Sequence, residues 1–100
     1  MVFKIIIKDD AELELMEAID YYNAINENLS KEFVKLFFDS LTSISQNPFL
    51  YQKVYKNIRQ CVMLKFPYIL YYTVNGQTEE VAIYAVYHTS RNPKIWKKRL

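Results

Sequence analysis

The stretch Phe66-Pro67-Tyr68-Ile69-Leu70-Tyr71-Tyr72, running through Asn75-Gly76 to Ala85-Val86-Tyr87-His88-Thr89-Ser90-Arg91-Asn92-Pro93, decides how this chain folds. β-Branched and aromatic residues dominate both runs, and Asn75-Gly76 stands between them. That dipeptide is a hairpin signal, because both central positions of a tight primed turn need positive φ. Gln77 to Glu80 lengthen the loop. The spacing predicts strands over 58–66, 68–74 and 81–88. In the last of these, strict alternation puts Val81, Ile83, Ala85 and Tyr87 on one face. Ala82, Tyr84, Val86 and His88 fall on the other. Both faces are largely apolar, so this strand is expected inside a sheet. It ends at His88, with Arg91 three residues on, and chemistry or recognition is expected at that strand end.

Toward the N-terminus, 2–8 reads as another strand, with three isoleucines at 5 to 7. A run apolar on both faces points to a covered strand rather than one at a free edge. Asp9 offers an N-cap, with Glu12 completing a capping box. Ala11, Leu15, Ala18, Ile19, Tyr22 and Ile25 then recur at helical spacing, with Glu14, Glu17 and Asp20 on the other face. Asn26-Glu27-Asn28 interrupts this stripe. A second stripe runs through Leu29, Phe33, Leu36, Phe37, Ser40, Leu41 and Ile44 until Asn47-Pro48, where proline forces its neighbour out of the helical region. Residues 48–57 read as an irregular connection. The result is one domain over 1–100 of α+β class, in the order β-α-α-β-β-β. A small, mostly antiparallel sheet carries the N-terminal helical hairpin on one face. The other sheet face is left for tyrosines and basic side chains, as a concave binding surface.

Charge divides the chain. Residues 1–50 hold four lysines against nine carboxylates, a balance of −5. Residues 51–100 hold nine Lys or Arg against two glutamates, a balance of +7. Such a dipole attracts nucleic acid or an acidic protein segment, though a basic tail can also be merely solvated. Sixteen aromatics, nine of them tyrosine, exceed what so small a core hides easily, so some rings are expected at a surface. Cys61 is the single cysteine, which excludes an internal disulfide and any multi-cysteine zinc site. Its apolar neighbours suggest a buried thiol. No signal-peptide pattern or membrane-length apolar run is present, so the expected location is the cytoplasm.

Few constellations suit catalysis. One histidine, one cysteine and scattered carboxylates give no metal-ligand spacing, and one glycine gives no phosphate loop, so neither metal nor cofactor is expected. RNA cleavage by internal transphosphorylation is the natural chemistry to consider. It needs a base, an acid and cations for the phosphorane charge. His88 and Tyr87 fit the first two roles, and Arg59 and Arg91 the third. Tyr68 and Tyr71 would stack a base. The structural alternatives are a hydrogen-bonding His88, an Arg91 paired with strand-end carbonyls or Asp20, and a Trp96 that plugs the sheet.

The chain resembles the RelE/ParE superfamily of bacterial type II toxins, which includes plasmid stabilisation proteins. The matching pieces span nearly its whole length. They are Glu17-Ala18 and Tyr21-Tyr22, Ile44 with Asn47-Pro48, Ile58-Arg59, Phe66-Pro67-Tyr68 with Tyr71-Tyr72, and Ala85-Val86-Tyr87-His88 with Arg91-Asn92-Pro93 and Trp96. The resemblance implies the same β-α-α-β-β-β fold. It also implies growth arrest, relieved by an antitoxin encoded beside the toxin and bound in a hetero-oligomer. RelE-like members cut mRNA in the ribosomal A site, whereas ParE-like members inhibit DNA gyrase. Ile69 stands where RelE-like nucleases often carry arginine, and Lys65 is the nearest basic residue. Phe-Pro-Tyr and Arg-Asn-Pro with Trp96 resemble the ParE-like side. The expected reading is therefore a ParE-like toxin, with a RelE-like endoribonuclease using His88 as its rival. The target or an acidic antitoxin segment is expected to bind at Arg59, Lys65, Tyr68, Tyr71, Arg91, Lys94, Lys97 and Lys98.

Overall fold

The computed structural model describes residues 2–92 and 97–99. Its elements run β1 (Lys4–Ile7), α1 (Asp9–Ile25), α2 (Glu27–Gln46), β2 (Lys53–Tyr55), β3 (Ile58–Val62), β4 (Tyr68–Asn75) and β5 (Glu80–His88). The expected order holds, with one strand added. The sheet is mixed. Its order is β1-β5-β4-β3-β2, with β1 parallel to β5 and the other pairs antiparallel. The two helices form an antiparallel hairpin that packs on one sheet face.

Asn26 makes the helical hairpin tight. It caps both helices at once: its N–H donates to Tyr22 O, and its side chain accepts from the Asn28 N–H at 2.8 Å. At the start of α1, Asp9 lies inside the helix and Lys8 holds the cap position without a side-chain bond, so the expected capping box does not form. The hairpin buries Ala11, Ala18, Tyr22, Phe33, Phe37 and Ile44 against Leu70, Tyr72, Val81 and Ile83. Ile25, grouped by its spacing with the core, stands exposed at the end of α1. Near the β3–β4 turn Tyr22, Phe33, Phe66 and Tyr68 pack edge to face or tilted, with centroids 4.9–6.3 Å apart. Aromatic pairs prefer these geometries.

Several expectations change on contact with the tertiary structure. β1 is an edge strand rather than a covered one, because β5 takes it on one side only. Residues 53–55 form a short strand inside the connection read as irregular. Its two-residue turn places Lys56 at φ 50°, a position usually held by glycine, so the sequence carries no turn signal there. Asn75-Gly76 does mark a hairpin, but not a two-residue one. β4 and β5 close at the pair Asn75 and Glu80, and Glu79 rather than Gly76 takes positive φ, at 56°. The Asn75 side chain holds the loop by accepting from the Gln77 and Thr78 amides.

The alternation along β5 breaks at Tyr84. Tyr72 pairs with Ile83 and Tyr71 with Ala85, so Tyr84 has no partner on β4. This is a β-bulge, and one extra residue reverses the facing of everything beyond it. Val81 and Ile83 therefore share the helix-side core with Val86, while Ala85 and Tyr87 pack on the far face with Ile58 and Tyr71. Nor does the far face present its rings openly: Tyr71 and Tyr87 are 7 % and 2 % exposed. Arg91 and Arg99 lie over the Tyr87 ring, and Lys97 lies over Tyr55.

Candidate recognition site at the β4–β5 strand end

Tyr68 and His88 are register partners at one end of the β4–β5 pair. The Thr89 N–H donates to Pro67 O at 2.9 Å and closes this end. The Tyr68 ring meets the His88 ring edge-on, with centroids 5.2 Å apart. Next to them α1 contributes Glu14, Glu17 and Tyr21, and the loop after β5 contributes Arg91. Together they line a cavity of about 280 Å³.

Glu14 is the residue the sequence misplaced. Helical spacing puts it on the solvent face, yet it is buried. The cause lies in the strands. β1 ends at Ile7 opposite Ile83, so the outer edge of β5 is unpaired from Tyr84 onward. The Glu14 carboxylate fills the gap and accepts from the Val86 N–H at 3.1 Å. Arg99 completes the substitution by donating to Tyr84 O at 3.0 Å and gripping both Glu14 oxygens at 2.9 Å. Arg91 donates to Glu14 Oε2 at 3.1 Å. Arg91 thus pairs with Glu14 rather than with Asp20 or strand-end carbonyls. Its guanidinium also sits 4.3 Å from the Tyr87 ring centroid, while its side chain stays 43 % exposed. No local signal marks Glu14, because its burial follows from where a different strand stops.

His88 has a defined orientation. The Ser90 N–H donates to Nδ1 at 3.1 Å, so the neutral ring carries its proton on Nε2. Ser90 Oγ lies 2.7 Å from the same nitrogen. Burial pushes the Tyr68 phenol above its ordinary value, aided by Tyr22 and Tyr21 and opposed by Arg91. Tyr68 is therefore a neutral hydrogen-bond donor at physiological pH. The Tyr87 hydroxyl donates to Asn92 O at 3.0 Å and fixes the following loop.

The structure brings His88, Arg91, Tyr87 and Tyr68 to one strand end but leaves the other candidates elsewhere. Arg59 stands opposite Tyr72 in the middle of β4. There it donates to the carbonyls of Phe49 and Tyr51 at 3.0 and 2.6 Å, holding the 47–52 connection in place. Lys65 is in the β3–β4 turn and pairs with Glu32 at 3.1 Å. Tyr71 faces the buried far side. Lys98 is exposed, Lys97 covers Tyr55, and Lys94 and Trp96 lie outside the described residues. Cys61 is buried, and burial pushes its thiol up. Among the described residues no cluster of three or more His, Cys, Asp or Glu could hold a metal ion, and no helix is long and apolar enough to cross a membrane.

The charge of the cavity bears on its chemistry. Phosphoryl chemistry wants unpaired cations around the reacting phosphate. Here Arg91 shares the one negative charge of Glu14 with Arg99, and Glu17 lines the same cavity. A half-exposed arginine stacked on the buried Tyr87 and an exposed tyrosine, Tyr21, instead make a surface of the kind that anchors protein partners.

The sequence profile described as ParE toxin of type II toxin-antitoxin system, parDE, matches residues 5–93 of this chain. Among solved structures, the chromosomal ParDE TA system from P. aeruginosa superposes with a TM-score of 0.76 at 14 % sequence identity. The superposition covers 89 % of this chain and 98 % of that one, and at this identity the likeness is one of fold. No curated protein matches the chain.

Proposed function

The chain belongs to the ParE toxin family of type II toxin–antitoxin systems, and from that premise we propose that it arrests bacterial growth by inhibiting DNA gyrase and is neutralised by an antitoxin encoded beside it. The observation that carries the non-catalytic reading is the state of the arginines. Arg91 is ion-paired to a buried glutamate, and Arg59 is spent on two backbone carbonyls, so neither is an unencumbered cation for a transition-state phosphate. The antitoxin contributes an acidic, partly disordered segment that folds on contact with the basic C-terminal half. Arg91, Lys97 and Lys98 are its electrostatic anchors, and Tyr68 and Tyr21 its apolar ones. The purified chain should block gyrase supercoiling and lose that effect when premixed with the antitoxin. Full supercoiling at micromolar chain would rule gyrase out as the target.

One observation favours a second reading. His88 is oriented by the Ser90 N–H at Nδ1 and lines the cavity beside Tyr68 and Arg91, and general acid–base catalysis needs a positioned side chain of this type. A ribosome-dependent endoribonuclease would use it so. In that case His88→Ala abolishes growth arrest at unchanged protein level. On the gyrase reading the substitution leaves arrest in place.

A further inference from the structure

Away from β1 the described lysines fall into two groups. Those on α2 and in the β3–β4 turn are neutralised. Lys31 pairs with Glu27 at 3.4 Å, Lys35 with Asp39 at 3.2 Å and Lys65 with Glu32 at 3.1 Å. Those on β2 and in the C-terminal segment are placed differently. Lys53, Lys56 and Lys98 are exposed and have no ion-pair partner among the described residues. The cause lies in the sequence. From 40 to 100 the only carboxylate side chains are those of Glu79 and Glu80. Glu80 opens β5 opposite Lys4, and β4 and β3 separate it from β2.

Tyr55 gathers this second group. Lys56 Nζ lies 5.2 Å from the Tyr55 ring centroid, and Lys97 Nζ lies 4.8 Å from it. A cation–π contact holds an ammonium in place without neutralising it. Lys56 stands in the tight turn after β2 and Lys97 in the segment beyond β5, so two distant parts of the chain converge on one ring. Lys53 begins the same edge strand as Tyr55, and Lys98 follows Lys97. Cations held close with no carboxylate among them repel one another and raise the local potential. A bound polyanion relieves that repulsion.

We infer that the lysine cluster around Tyr55 binds the phosphodiester backbone of nucleic acid without reading its sequence. The class of ligand follows from which cations this face offers. Arginine is the residue that grips a carboxylate or a base edge by two parallel bonds. Arg59 is engaged on two backbone carbonyls, and Arg91 and Arg99 share Glu14. Lysines remain, and an ammonium on a flexible stem is a point charge that follows a phosphate backbone. The inference goes beyond the proposed growth arrest and does not depend on its target, since gyrase and the ribosome both present nucleic acid. Lys97 and Lys98 also anchor the proposed antitoxin contact, so the two ligands compete.

Fluorescence anisotropy of a short labelled DNA duplex, titrated with the full chain in the absence of antitoxin, tests this. Three exposed lysines predict log affinity falling against log salt with a slope of about −2.7, roughly fortyfold between about 50 and 200 mM salt. Lys56→Gln with Lys98→Gln should lower the slope to about −0.9. An unchanged slope overturns the inference. Lys56→Glu with Lys98→Glu should weaken binding at least tenfold. Lys31→Glu with Lys35→Glu changes the net charge equally on α2 and should leave affinity within about threefold near 0.1 M salt, where screening over about 10 Å confines each charge to its own face. Equal losses in the two reversals, or no binding at the lowest salt, overturn the inference and leave the growth-arrest reading standing. Polyglutamate that displaces the duplex as effectively as unlabelled DNA makes the face a site for acidic protein, which also overturns it. A single-stranded RNA of the same length names the source. Tighter RNA binding points to a transcript and tighter duplex binding to DNA, and either result supports the phosphate site.

Discussion

Arg59 stands in β3 and Arg91 just past the end of β5, and in the sequence each could meet an anion. In the structure they do different work. Arg59 lies over Phe49 and ties a loop by two carbonyls, so its charge serves the fold. Arg91 shares a buried carboxylate with Arg99, stacks on Tyr87 and keeps an exposed flank at a cavity. The first region is closed by backbone acceptors, the second by a carboxylate standing in for an absent strand. Of the two arginines, only Arg91 keeps part of its side chain facing solvent at a cavity, where a partner could reach it.

Three changes separate the two regions. The largest effect is expected from Glu14→Gln, which strips the charge that Arg99 and Arg91 share inside the strand end. Breaking a buried pair by removing one partner costs roughly 3 kcal/mol, and chemical denaturation should show a loss of that size. A loss below about 0.5 kcal/mol, the range of ordinary surface changes, would mean that the cluster does not hold the strand end. Next comes Arg59→Ala, expected to cost about 1.5–3 kcal/mol through two charge-assisted bonds while leaving antitoxin affinity within a factor of two. Arg91→Ala should show the reverse emphasis, with an antitoxin affinity loss of tenfold or more that shrinks as salt is raised. Equal affinity losses for Arg59 and Arg91 would erase the distinction drawn between them.

The smallest effect is a dependence on alkaline pH. Cys61, Tyr72, Tyr51 and Tyr22 are all shifted upward, mainly by burial, from ordinary values of 9.0 for the thiol and 10.0 for the phenols. Above pH 9 the unfolded chain releases protons that the folded chain keeps, so stability falls as pH rises. It should be flat on this account from pH 7 to 9 and decline beyond, and Cys61 should resist alkylation until the chain unfolds. Alkylation of the folded chain at the rate of a free thiol would show that Cys61 is accessible.

Much of this architecture is legible because its signals are local. Helical spacing from Ala11 to Ile44 gives both helices, and the β-branched and aromatic runs give β4 and β5. What escapes the sequence are relations between elements. Glu14 is buried because β1 stops before β5 does. Tyr84 bulges because β4 and β5 hold different numbers of residues between matched pairs, which sends Ala85 and Tyr87 to the far face. β1 reads as covered because its composition is, and only the sheet order shows the open side. The strand end at His88 was legible as a place. Its electrostatics was not, since half of its charge comes from a helix some seventy residues away.

The most direct test of the central claim is mapping of mRNA 5′ ends shortly after the chain is induced in a bacterial host, with and without its antitoxin. The account predicts growth arrest with no new in-frame cuts, and recovery when the antitoxin is co-expressed. New in-frame cuts that disappear in His88→Ala would contradict it and make the strand end a nuclease site.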